Sequence, residues 1–265
     1  MDDLARHNRA RWEALARAGC RFTRPMFDLT PHTAHELVDP GNMMGQIAGR
    51  DVLCLAGGGG QQSAAFALLG AHVTVLDLSQ TQLDRDRQAA EHYGLSVRTM
   101  QGDMRDLSAF GNGSFDVIYH AHSLNFIPDP MPVFEQAARV LRQGGLYRIS
   151  YTNPFTHSLW NDAWNGSGYS LEDIYRDGEV LYEDAGWDFN NAAGDRQVVE
   201  GPREFRHTLS KVVNGLIGHG FSLLGLWEDG DGDASAEPGS VAHCEAVAPP
   251  WLVMWWRYDP AEADR

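Results

Sequence analysis

The sequence predicts an α/β protein built on a doubly wound, mostly parallel sheet with helices on both faces. Short apolar runs alternate with helical patterns from Asp51 to Asn153, and strands separated by helices pair in parallel. Four consecutive glycines, Gly57 to Gly60, follow the first of these runs, where a strand hands over to a helix. The next strand-like run, HVTVLD, ends on an acid, Asp77.

The elements follow in order. Residues 2–18 predict a helix, with Leu4, Trp12, Leu15 and the alanines between them as its apolar stripe and Gly19 as its stop. Residues 20–50 carry Pro25, Pro31 and Pro40 and read as a loop with one short helix after Thr30. DVLCLA is a strand, QSAAFALLG a helix ending at Gly70, and HVTVLD a strand. SQTQLDRDRQAAEHYG is a helix capped by Ser79 and stopped by Gly94. LSVRTMQGD is a strand and turn, and SFDVIYH a strand. PMPVFEQAARVLRQGG is a helix that opens on proline and closes on glycine, and LYRISYTN is the next strand.

The alternation stops at Pro154. Residues 154–203 hold Trp160, Trp164, Trp187 and many turn residues. It resumes at EFRHTL, with a helix to about His219 and the strands FSLLGLWED and WLVMWWRYD. Between those strands, EDGDGDASAEPGS is acidic and polar and reads as a mobile surface loop. Four segments result: an N-terminal helical lid (1–50), a cofactor-binding core (51–152), an inserted substrate lid (153–206) and the rest of the core (207–265).

Composition narrows the function. The chain has 265 residues, 43% of them hydrophobic, enough for a packed core. No apolar run approaches the roughly 20 residues of a membrane-spanning helix, and the N-terminus lacks the apolar stretch of a secretory signal. The formal net charge of −15 opposes a nucleic-acid partner. Three widely spaced cysteines, Cys20, Cys54 and Cys244, fit a reducing cytoplasm. No spacing points to a metal: His32, His35 and Glu36 lie close together with no further ligand in sequence.

A glycine-rich turn between a first strand and its helix lets backbone amides approach a ligand at the carboxyl end of a sheet. A dinucleotide site wants G-x-G-x-x-G, yet the third glycine would fall at Gln62. An acid ending the second strand can accept hydrogen bonds from both hydroxyls of a ribose, in a dinucleotide or in S-adenosylmethionine (SAM). The glycine spacing favours SAM.

Residues 51–152 resemble the class I SAM-dependent methyltransferases. VLCLAGGGG aligns without gaps with the family's V-L-D-x-G-x-G-x-G loop, with Cys54 where an acid is common and Ala56 where the first glycine is common. TVLDLS, QGDMRDL, FDVIYHAHSLNFIPD and VLRQGGLYRIS match later family segments in order. CLAGGGGQQ, SYTNP and EFRHTL together resemble a bacterial small-molecule subgroup. The resemblance implies a Rossmann-like sheet of seven strands whose last strand is antiparallel. It also implies SAM as cofactor, held by Ala56, Gly57, Gly58, Gly59 and Gln62 of the loop and by Asp77 at the ribose. Leu78 would lie on one face of the adenine. Gly102, Asp103 and Met104 would meet the adenine, and His120 would line the methionine end.

For the acceptor side, His122 and His207 are candidate proton acceptors, and Tyr151 and Asn153 stand at the rim of the fifth strand. The lid between Asn161 and Asp188 holds eight acids against one base, Arg176. An acidic, aromatic lid suits a cationic or aromatic acceptor. Trp12 and its helix would close over SAM or simply pack. The reading is a cytoplasmic enzyme that methylates N or O of a small molecule, with no nucleic-acid or membrane partner, and compatible with a homodimer. A non-catalytic SAM-binding accessory protein and an NAD-dependent oxidoreductase are the alternatives.

Overall fold

A computed structural model of the chain describes residues 1–157, 159, 163–171, 174–181 and 186–260. Helix α1 spans Asp3–Ala18, capped by the Asp2 side chain and closed by left-handed Gly19. A 3₁₀ turn at Arg21–Thr23 precedes α2 (Pro31–Val38), whose Thr30 and Thr33 form a reciprocal capping box. Strand β1 (Asp51–Leu55), α3 (Gln62–Leu68), β2 (His72–Asp77), α4 (Gln80–His92), β3 (Arg98–Gln101) and β4 (Phe115–His120) follow the predicted alternation. Ser79 caps α4 as expected. Helix α5 (Met131–Val140) is shorter than predicted, because the chain turns extended at Leu141 and runs straight into β5 (Leu141–Thr152).

The inserted segment carries more regular structure than its turn-rich sequence suggested. Strands β6 (Gly178–Val180), β7 (Gly186–Asn190), β8 (Arg196–Glu200) and β9 (Glu204–Arg206) form two small ribbons, β6 with β9 and β7 with β8. The EFR stretch therefore pairs inside the lid and not in the main sheet. Helix α6 (Leu209–Gly218), β10 (Phe221–Asp229), α7 (Val241–Val247) and β11 (Trp251–Tyr258) complete the chain. Part of the polar segment after β10 thus leads into a helix.

The main sheet has seven strands in the order β10-β11-β5-β4-β1-β2-β3. Strands β1 to β5 are mutually parallel, and β11 runs antiparallel to both of its neighbours. Alternation sends Leu53 and Leu55 to one face and Val52 and Cys54 to the other, all fully buried. The first face packs with Phe134 of α5 and Leu216 of α6, and the second with Ala34 of α2 and Phe66 of α3. Burial on both faces is what makes these strands read as continuous apolar runs.

Helix α4 explains much of the glycine run. A Cβ on Gly58 would come within 2.8 Å of Gln82 Cβ and 3.0 Å of Asp77 Cγ. A Cβ on Gly60 would lie 2.6 Å from the Arg85 carbonyl oxygen. Ala56 is the reverse case, a non-glycine residue in the left-handed region at φ 45°. Ala56→Gly is therefore expected to hold or raise stability, by about 0.5 kcal/mol, as relief of the left-handed cost outweighs the added chain entropy. Urea unfolding checks it, and a loss of more than about 1 kcal/mol would contradict the assignment of strain.

Candidate active site

The loops after β1, β2 and β3 lie side by side at the carboxyl end of the sheet. Register brings them together: Leu55 pairs with Leu76, and Asp77 with Gln101. The Gly102 amide donates to the Asp77 carbonyl at 2.9 Å, and the Ala56 amide to the Leu76 carbonyl at 2.7 Å. Ala56, Gly57, Gly58, Gly59, Asp77, Leu78, Gly102, Asp103 and Met104 thus form one continuous rim, with Gln62 opening α3 behind it.

Asp77 is the centre of this rim. One carboxylate oxygen accepts from the Ser79 amide at 2.8 Å and the other from the Gly58 amide at 2.9 Å. Each oxygen keeps a lone pair, so the group can still take two hydroxyls, as a ribose requires. Burial, reinforced by nearby Glu13 against the pull of the amides, pushes its pKa up to about 6. A second buried acceptor, Gln82 Oε1, has no partner and lies beside the glycine loop. The site fits a ligand rich in hydroxyl and amine donors.

Two further loop amides are not presented outward. Gly59 and Gly60 donate to the two oxygens of Asp86, at 3.2 and 2.9 Å, and the Ser63 hydroxyl donates to the same carboxylate. Asp86 is fully buried. Sequence reading missed it, although an acid in the buried stripe of Leu83, Asp86, Ala89 and Ala90 was a visible signal.

Helix α1 is fastened across this edge. Glu13 accepts from the hydroxyls of Ser79 and Thr81 at the start of α4. Arg105 binds Asp103 through two nitrogens and reaches Asp2 at 2.8 Å. Asp103, expected to meet an adenine amine, therefore already carries an arginine. Trp12 packs edge-on against Phe126 at 5.2 Å and Trp187 at 5.7 Å, joining α1 to the 3₁₀ turn Leu124–Phe126 and to β7.

The acceptor-side candidates separate into two groups. His207 lies against the 124–126 turn, and Tyr151 belongs to the buried cluster that includes Leu124. Tyr151 lies on the α5–α6 face of β5, fully buried, with its hydroxyl unpartnered and its pKa raised by burial. His207 Nε2 lies 3.1 Å from the Leu124 carbonyl oxygen. A carbonyl can only accept, so Nε2 carries the hydrogen and Nδ1 is a bare lone pair. That Nδ1 is buried without a partner, and burial pulls the ring pKa down to about 4. His120 on the same face meets Tyr147 Oη at 2.8 Å through Nδ1 and leaves Nε2 buried and unpartnered.

His122 lies elsewhere. Its φ of 45° takes it out of strand alternation. Its amide donates to Ser150 Oγ at 3.2 Å, and its ring packs edge-on against Trp251 at 3.8 Å. Trp251 pairs with Thr152, so this group sits on the sheet face opposite Tyr151. Asn153 is spent on structure, donating to the carbonyls of Pro249 and Pro250 and accepting from the Phe155 amide.

In the lid, Trp160 and the acids Asp162, Glu172, Asp173, Glu183 and Asp184 lie outside the described residues. Asp177 caps α6 by accepting from the Thr208 amide at 2.8 Å. Glu179 is paired with Arg203 and Asp188 with Arg196. Trp164 packs with Tyr169 and His243. Among the described residues, no three His, Cys, Asp or Glu side chains converge to hold a metal ion, and no helix is long and apolar enough to cross a membrane.

Residues 53–149 match a family model described as a methyltransferase domain. The chain is 32% identical over 250 residues to the uncharacterized methyltransferase YbaJ of Bacillus subtilis (strain 168), covering 88% of this chain and 93% of that one. A ubiquinone biosynthesis O-methyltransferase of Xanthomonas euvesicatoria is 33% identical over 108 residues, which cover 41% of this chain and 45% of that one. A putative SAM-dependent methyltransferase of Listeria monocytogenes shares the fold at TM-score 0.61 and 18% identity, over 86% of this chain and 99% of that one. One from Mesorhizobium loti does so at TM-score 0.60 and 20% identity, over 86% and 100%. With the seven-stranded sheet, the carboxylate-lined glycine loop and a relative matched along nearly its whole length, the chain belongs to the class I SAM-dependent methyltransferases.

Proposed function

We propose that the enzyme moves a methyl group from SAM to an oxygen or nitrogen atom of a neutral small molecule in the cytoplasm. One observation carries the choice of ligand: the amides of Gly58, Gly59 and Gly60 end on the carboxylates of Asp77 and Asp86. A loop so lined repels a pyrophosphate and tolerates a sulfonium, which disfavours the dinucleotide alternative. When bound, SAM supplies a methyl group already activated on sulfur. The chain's own residues then position and deprotonate. Asp77 accepts the ribose hydroxyls, and helix α1 covers the edge. Holding donor and acceptor in line can supply about 7–11 kcal/mol of the barrier.

His207 Nδ1 takes the proton from the acceptor's O–H or N–H as the methyl arrives, and the Tyr151 hydroxyl donates to the acceptor beside it. A neutral acceptor is supported by the described lid acids, where Asp177, Glu179 and Asp188 are occupied by α6, Arg203 and Arg196. A phenol-like hydroxyl suits this pair better than a cationic amine. Calorimetric titration with SAM, S-adenosylhomocysteine and NADH tests the ligand, followed by a screen of phenol, amine and thiol acceptors. Binding of NADH with none of SAM would sink the reading.

SAM affinity is expected to depend on pH through Asp77. The ionised carboxylate is the better acceptor for hydroxyls, and its pKa in the free protein is about 6. The SAM Kd should be lowest near pH 8 and rise as pH falls, from about pH 7 through Asp86, whose burial pushes its pKa up to about 7, and below pH 6 through Asp77, by at most about tenfold per pH unit for each group. The sign for stability is opposite. The folded pKa lies above the ordinary 3.8, so this group costs the free protein stability as pH rises from about 4 through 6. A pH-independent Kd between 5 and 8 would remove Asp77 from the binding step.

A further inference from the structure

We infer that Asp86 is the residue that positions the SAM loop, in place of the acid missing at Cys54; the inference rests on the SAM reading above. Asp86 lies inside α4, far from the loop in sequence, yet both of its oxygens are spent on it. One oxygen accepts from the Gly59 amide at 3.2 Å, and the other from the Gly60 amide at 2.9 Å and from the Ser63 hydroxyl. Ser63 stands in the first turn of α3. One carboxylate therefore ties together the loop, the start of the helix after it and the helix after β2.

Three further observations favour a built device. Asp86 is fully buried, and its three donors offset part of the burial that pushes its pKa up to about 7. The glycine conformations depend on the packing that brings Asp86 in: Gly59 and Gly60 have φ of 127° and 77°, and a Cβ on Gly60 would strike Arg85 and Ala89 of α4. The Cys54 thiol lies close enough to the carboxylate for its ionisation to be disfavoured by the negative charge, after the larger effect of burial. The acid side chain has in effect moved from the end of β1 to the neighbouring helix. Asp86 touches no ligand atom in this reading. It fixes the loop so that Gly58 and Asp77 meet the ribose edge in register.

Asp86→Asn preserves shape but offers an N–H to one donor that needs an acceptor. Ser63→Ala removes one donor and leaves the carboxylate. Hydrogen–deuterium exchange of the free protein reads the loop without any ligand, and SAM titration reads the consequence. In Asp86→Asn, exchange at Gly59 and Gly60 should speed up at least tenfold while amides of β4 and β5 keep their protection. The SAM Kd should rise about tenfold, and kcat at saturating SAM should hold. Ser63→Ala should shift both by a few-fold in the same direction. Wild-type exchange and wild-type Kd in Asp86→Asn would overturn the proposal. A global rise in exchange with unchanged Kd would also overturn it, leaving Asp86 a core residue only. If wild type fails to bind SAM while the loop still loosens in Asp86→Asn, the cofactor reading fails and the loop assignment stands.

Discussion

Asp77→Ala is expected to raise the SAM Kd by about 100-fold or more. Two hydrogen bonds from ribose hydroxyls to a charged acceptor are lost, each worth roughly 1.5–3 kcal/mol. At 1.4 kcal/mol per factor of ten, the pair gives at least two orders of magnitude. The loop adds to the loss, because the Gly58 and Ser79 amides lose their acceptor in the same substitution. Asp77→Asn keeps one carbonyl acceptor and should fall between, near tenfold. Its unfolding midpoint at pH 8 should hold or rise, since the substitution removes a buried charge. Affinity and stability moving in opposite directions is what a site residue, unlike a packing residue, should give. Calorimetry and thermal unfolding of the same samples check both, and Asp77→Ala binding SAM like wild type would remove it from the site.

His207→Ala is expected to lower kcat by about 10²–10⁴ with the SAM Kd unchanged within about twofold. The ring's tautomer is set by the Leu124 carbonyl, so Nδ1 is always the acceptor. Burial keeps the ring neutral down to about pH 4. The rate should therefore show no loss from this group between pH 8 and about 5.5, unlike that of an exposed histidine. Tyr151→Phe should cost less, about tenfold, as it removes a donor but not the base. His122→Ala should leave kcat within a few-fold, because its ring lies beside Trp251 on the opposite sheet face. An acceptor found by screening makes these steady-state measurements direct. If His207→Ala turns over like wild type and His122→Ala does not, the acceptor lies on the other face.

Asp77 was legible in the sequence because three local signals coincide: an apolar run that ends on an acid, a serine cap directly after it, and a glycine turn upstream. Each is decided within a few residues. Asp86 was not read, although it makes more bonds to the loop. Its partners lie 23 to 27 residues earlier, and only the packing of α4 on the loop joins them. Glu13 was missed for the same reason, since Ser79 and Thr81 belong to another segment; Arg105 was missed although Asp103 lies two residues before it, and only its reach to Asp2 depends on the tertiary fold. His122 and Tyr151 were both taken for the acceptor side. A positive φ at His122 turns it out of strand alternation, and no residue type there announces it.

The sequence by itself determined the α/β class, the order and most of the bounds of the core elements, and the second strand's end on the acid Asp77 beside the glycine turn. These depend on apolar periodicity, caps and glycine stops, which act over one or two turns of chain. Tertiary structure alone decided which carboxylates hold the glycine loop, that β9 pairs in the lid, which face of the sheet each histidine joins and which lid acids are spent. Those outcomes depend on contacts between segments far apart in sequence. Burial removes water there, and every donor and acceptor must find a partner or be left open for a ligand.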